Sequence, residues 1–139
     1  MSRFRILDHP ADLLIEFTAP SKPAVYELAA KILFELQYES EPGCPQVVST
    51  REHLRATDPE ELLVSWLNRL LFIHETRQLR LGDIEILFLS DKELIADAAW
   101  FKVGLEAEQP VQEIKMATYH ELELKQSGSN WYVKILFDL

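Results

Sequence analysis

Trp131-Tyr132-Val133-Lys134-Ile135-Leu136-Phe137-Asp138 is the stretch on which the fold turns. Trp131, Val133, Ile135 and Phe137 fall on one face of an extended chain, and Tyr132, Lys134, Leu136 and Asp138 on the other. Ser127-Gly128-Ser129-Asn130 before it is a turn. Before that turn, Ile114 to Lys125 ends in the same alternation, with Leu122 and Leu124 set against Glu121, Glu123 and Lys125. Two alternating runs joined by a short glycine turn predict an antiparallel hairpin. Its second strand buries Phe137 and leaves Asp138 on the opposite face.

Working outward, Asp83–Leu89 and Glu93–Val103 flank Ser90-Asp91-Lys92, a second hairpin signal. Phe4–Leu7 and Leu13–Thr18 read as strands, and Gln46–Ala56 as an extended, irregular one. Two segments carry helical periodicity instead. Val25, Leu28, Ala29, Ile32, Leu33 and Leu36 follow Ser21, a suitable N-cap, with Pro23 tolerated in a first turn. Leu62, Leu63, Trp66, Leu67, Leu70, Leu71 and His74 follow Asp58-Pro59-Glu60-Glu61. There Asp58 can cap, Pro59 fits the first helical position and Glu61 completes a capping box. The expectation is an α+β fold: two amphipathic helices on a largely antiparallel, about seven-stranded sheet, in one domain spanning residues 1–139.

Composition narrows the function classes. Of 139 residues, 23 are acidic and 14 basic, a formal net charge of -9. Such a surface repels phosphate backbones and suits a basic partner or a divalent cation, so autonomous nucleic-acid binding is not expected. No apolar run reaches the roughly 18–20 residues of a membrane span. The first residues lack the apolar core of a signal peptide. A single cysteine, Cys44, excludes an internal disulfide framework and a cysteine-rich zinc site. Together these favour the cytoplasm.

Two clusters could carry chemistry. Asp8-His9-Pro10-Ala11-Asp12 packs two carboxylates and an imidazole into a proline-stiffened segment. Asp138 and the α-carboxylate of Leu139 would join them if the fold brings the two ends together. Hard oxygen donors suit Mg²⁺ or Ca²⁺, and Mn²⁺ less well. From spacing alone the plainer reading of the same residues is local: an Asx turn at Asp8 and a backbone cap at Asp12. The second cluster is Glu113-Ile114-Lys115-Met116-Ala117-Thr118-Tyr119-His120, where a polar loop becomes a strand. As an ordinary strand entry it would put Tyr119 in the core and leave Lys115 snorkelling. His53 and His74 have no partner at metal-ligand spacing and are assigned to structure. There is no P-loop, no G-x-G-x-x-G and no G-x-S-x-G, a thin inventory for an independent enzyme.

Taken in order, these stretches resemble the archease family. Asp8-His9-Pro10-Ala11-Asp12 is similar to its N-terminal motif, an acidic residue before His-Thr-Ala-Asp. Glu113 to His120 is similar to its Glu-Ile-Lys-Ala-Val-Thr-Tyr-His motif. Asp58 to Asn68 resembles its second helix, and Trp131 to Leu139 its tryptophan-led closing strand. Pro10 departs from the usual threonine, removing a hydroxyl and a backbone donor. Gly104-Leu105-Glu106 represents the family's Gly-Glu pair only loosely.

The resemblance implies a protein cofactor, not an enzyme, that promotes guanylylation and multiple turnover of an RtcB-type GTP-dependent RNA ligase in tRNA splicing and RNA repair. It implies a divalent cation, calcium first, held by Asp12 and Asp138 beside Leu139. Lys115 matches a motif lysine implicated in ligase activation, and Asp8 and His9 are supporting residues. Two other readings remain open. A chaperone-like module for RNA-modifying enzymes would act whether or not Asp12 is intact. An independent metal-dependent hydrolase would turn over substrate alone.

Overall fold

The computed structural model describes residues 4–8, 11–43, 46–104 and 109–139. His9, Pro10, Cys44 and Leu105-Glu106 therefore lie outside the described residues. The elements run β1 (Phe4–Leu7), β2 (Leu13–Ala19), α1 (Lys22–Glu35), β3 (Gln46–Arg55), α2 (Pro59–Arg77), β4 (Leu79–Leu89), β5 (Glu93–Lys102), β6 (Met116–Ser127) and β7 (Asn130–Asp138). The periodicities predict two helices and about seven largely antiparallel strands; the described residues form two helices and seven strands, every pairing antiparallel. The strands divide into two sheets, of order β1-β2-β7-β6 and β3-β5-β4. Alternation assigns each strand a buried face but cannot say which strands share a ladder, so this division was not visible in the sequence.

The helix starts follow their capping residues. The Ser21 hydroxyl accepts the Ala24 N–H, and the Asp58 carboxylate accepts the Glu61 N–H at 2.7 Å. Glu61 reaches back to the Thr57 N–H at 2.6 Å, one residue earlier than a capping box places it. Two bonds cross-link the helices: Tyr26 donates to the Pro59 carbonyl and the Trp66 indole donates to the Tyr26 carbonyl. α2 is closed after Arg77 by Gln78 in the left-handed region, φ 55°, and β4 follows at once. β4 therefore begins at Leu79 rather than at Asp83. Gly82 lies within it at a register shift, where a Cβ would come 2.7 Å from the Phe101 ring. This close approach, not a strand boundary, accounts for the glycine.

One hydrophobic cluster draws on both helices and on the inner faces of both sheets. α1 packs on β2, β7 and β4, and α2 on β6, β3 and β4, so the helices bridge the sheets. Val133, Ile135 and Phe137 are fully buried, as the opening alternation requires. Glu52, on the inner face of β3, is buried and accepts from Arg69 of α2 at 2.8 Å. Among the described residues no helix is long and apolar enough to cross a membrane.

Candidate functional site at the closing end of the four-stranded sheet

β2 and β7 come from opposite ends of the sequence and lie side by side. Their register pairs Leu13 with Phe137, Leu14 with Leu136 and Glu16 with Lys134. One step beyond Leu13 and Phe137 lie Asp12 and Asp138, both half-buried and both on the face opposite the core. Asp8 follows the last residue of β1, whose Leu7 pairs with Leu14, so it belongs to the same end of the sheet. On the other side of β7, Met116 of β6 pairs with Asp138, and the Lys115 N–H donates to the Asp138 carbonyl at 2.8 Å. The fold thus brings Asp8, Asp12, Lys115, Asp138 and Leu139 to the ends of neighbouring strands.

The next residues on the carboxylates' face are Leu14 and Leu136. They are 5% and 3% exposed, yet they stand apart from the main hydrophobic cluster. Asp12 and Asp138 therefore border a small apolar floor made by Leu14 and Leu136. Farther along the face the charges are paired. Glu16 accepts from Arg5 and from Tyr132, and these bonds, Tyr132 first, hold its carboxyl below the usual range. Glu123 accepts from Lys125 at 2.8 Å and Lys134 at 2.7 Å, which hold its pKa at about 2. This ladder lies on the outer face of the sheet, away from the cluster at its end.

Among the described residues, no group of three or more His, Cys, Asp or Glu side chains is assembled for a metal. Asp12 and Asp138 supply two hard oxygen donors. A cation there would complete its shell with an oxygen of Leu139, backbone carbonyls and water, as hard cations commonly do.

Lys115 is exposed and lies in a strap, residues 111–117, pinned to the turn that closes α1 and to α2. The Val111 N–H donates to the Gln37 carbonyl, Gln112 donates to the Leu36 carbonyl, and the Ile114 N–H donates to the buried Gln37 side chain. Asn68 of α2 then binds Ala117 twice, accepting its N–H at 2.7 Å and donating to its carbonyl at 3.2 Å. Sequence reasoning missed Gln37 and Asn68 as supports. The available signal was a primary amide set within or just after an apolar helical stripe. Tyr119 is exposed, not in the core, because residues 119–122 bulge against Ile135 alone, with Glu121 at φ 58°. His120 is exposed in the same bulge.

Behind the strap lies a cleft of about 500 Å³ whose walls include Gln37, Tyr38, His74, Glu75, Glu113 and Lys115. His74 meets the Tyr38 hydroxyl at 2.7 Å and packs edge-on against Phe34. Burial pushes its pKa down, against the raising influence of Glu113 and Glu75. His53 meets Glu93 on the three-stranded sheet, far along the chain from the carboxylates.

Residues 4–139 match the archease protein family (MTH1598/TM1083). The chain belongs to the archease family. It is 25% identical to protein archease of Methanosarcina barkeri over 99% of this chain and 96% of that one. It is 27% identical to protein archease of Pyrococcus abyssi, with both chains covered in full. The solution structure of protein 1598 of Methanobacterium thermoautotrophicum superposes with a TM-score of 0.78 at 24% identity, covering 100% of both chains. The crystal structure of a Thermotoga maritima protein described as "an archease, possible chaperone" gives a TM-score of 0.66 at 18% identity, covering 97% of this chain and 96% of that one. These likenesses establish the archease fold for the arrangement above.

Proposed function

We propose that this archease is a protein cofactor of an RtcB-type RNA ligase, promoting its guanylylation and repeated turnover in tRNA splicing and RNA repair. The observation that carries the reading is the register that sets Asp12 and Asp138 at the ends of adjacent strands, with Lys115 bonded to the Asp138 backbone. In this reading the two carboxylates hold a divalent cation, calcium first and Mg²⁺ or Mn²⁺ as alternatives. Such a cation supplies a hard Lewis-acid charge that offsets their mutual repulsion. Lys115 presents a cation at the same end of the sheet. Asp8 and His9 support the set. The protein performs no reaction of its own; it presents charge to a basic partner site, which its net charge of -9 favours.

The test is a multiple-turnover ligation assay with Asp12→Ala and Asp138→Ala. Both variants are expected to lose stimulation while keeping the fold. Full stimulation by both overturns the reading. A second reading, a chaperone-like module, is favoured by exposed Met116 and Leu139 at the same strand ends and by the description of the Thermotoga relative. It predicts that suppression of client aggregation survives Asp12→Ala.

A further inference from the structure

We infer that Asn68 is a positioning residue: its side-chain amide clamps the outer edge of β6 and so fixes Lys115 in register with Asp138. An edge strand leaves alternate backbone N–H and C=O groups without a neighbouring strand. At Ala117 those two groups are met by one side chain. The Asn68 oxygen accepts the Ala117 N–H at 2.7 Å and its amide nitrogen donates to the Ala117 carbonyl at 3.2 Å. A primary amide carries its donor and its acceptor on separate atoms of one planar group, which matches the N–H and C=O of a single residue. The clamp acts on the outer edge, and β7 holds the inner one. Ala117 pairs with Phe137, Met116 with Asp138, and the Lys115 N–H donates to the Asp138 carbonyl.

Position explains why the clamp matters here. Residues 119–122 bulge out of the ladder directly after Thr118, so pairing on that side does not hold the start of β6. On the other side the strap is held by Gln37 at Ile114, and between Ile114 and the bulge the strand start depends on β7 and Asn68. A slip of one residue would move Lys115 to the other face of the sheet. The hydrogen bonds of the Asn68 side chain go to the Ala117 backbone and not to a carboxylate, so its effect passes through the backbone.

The inference rests on the ligase-cofactor reading for its consequence but not for its first readout. Amide hydrogen exchange of the isolated protein is measured for Asn68→Ala and Asn68→Asp. Asn68→Ala removes both bonds, and exchange at Ala117 and Lys115 is expected to rise about tenfold or more, the scale of two lost hydrogen bonds. Exchange at Ile135, in the centre of the sheet, is expected to stay unchanged. Asn68→Asp keeps an acceptor for the Ala117 N–H and loses the donor, so an intermediate rise is expected. It also serves if Asn68→Ala does not fold. Ligation stimulation is expected to fall in the same order. Unchanged exchange at Lys115 in a folded variant overturns the clamp. Faster exchange with full stimulation overturns its positioning role, provided Asp12→Ala abolishes stimulation in the same assay. If Asp12→Ala and Asp138→Ala also stimulate fully, the ligase reading fails and the exchange result alone decides the clamp.

Discussion

His74 shows how one residue's role depends on what packs against it. In the sequence it is the polar close of an apolar helical stripe. In the structure it is half-buried against Phe34 and bonded to Tyr38, and desolvation lowers its pKa. An unfolded histidine titrates near pH 6.5. The folded state resists that proton, so the stability from a neutral His74 is complete above about pH 6.5 and is lost as pH falls through the depressed folded value. Denaturant midpoints at pH 7.5 and 5.5 are expected to fall farther for the native chain than for His74→Gln, which cannot titrate. Equal falls would show that His74 is not the group responsible. Asp12 and Asp138 make the complementary point. Each is an ordinary acidic residue beside a strand, and only the pairing of Leu13 with Phe137 makes them neighbours.

At the scale of elements, the helices were the most legible part. Asp58 accepts the Glu61 N–H as its position before Pro59 requires, and Glu61 extends the cap to Thr57. Asp58→Ala is expected to cost about 1 kcal/mol, read as a lower urea midpoint with an unchanged slope. A cost near zero would mean that Pro59 and Glu61 suffice to start α2. Strand limits were less legible where tertiary contacts override local signals. The strand read from Asp83 begins at Leu79, and Gly82 lies inside it, under the Phe101 ring. Tyr119 alternates as a core residue, yet a bulge turns it outward. A bulge changes the phase of alternation without leaving a fixed residue signature.

For the whole molecule, β7 is the central fact. It lies between β2 and β6, and its buried Leu136 and Phe137 sit beside the strand ends that carry the candidate site. Removing residues 136–139 deletes both. Large-to-small changes at such positions cost about 2–5 kcal/mol each, against a total stability of about 5–15 kcal/mol. The shortened chain is expected to show no cooperative urea transition by circular dichroism. A cooperative transition near the native midpoint would show that β2 and β6 hold the sheet without the end of β7.

The sequence alone determined the helices, the antiparallel strands, the burial of Val133, Ile135 and Phe137, and the acidic residues at both ends. Those features follow from local periodicity, capping chemistry and composition, which are written residue by residue. Tertiary structure decided the division into two sheets and the meeting of Asp12 with Asp138. It also decided the support of Lys115 by Gln37 and Asn68. Each of these is a pairing between distant segments, and a pairing depends on which backbone edges meet. Edges present the same N–H and C=O groups whatever the side chains, so alternation could place Asp138 on a face but could not name its neighbour.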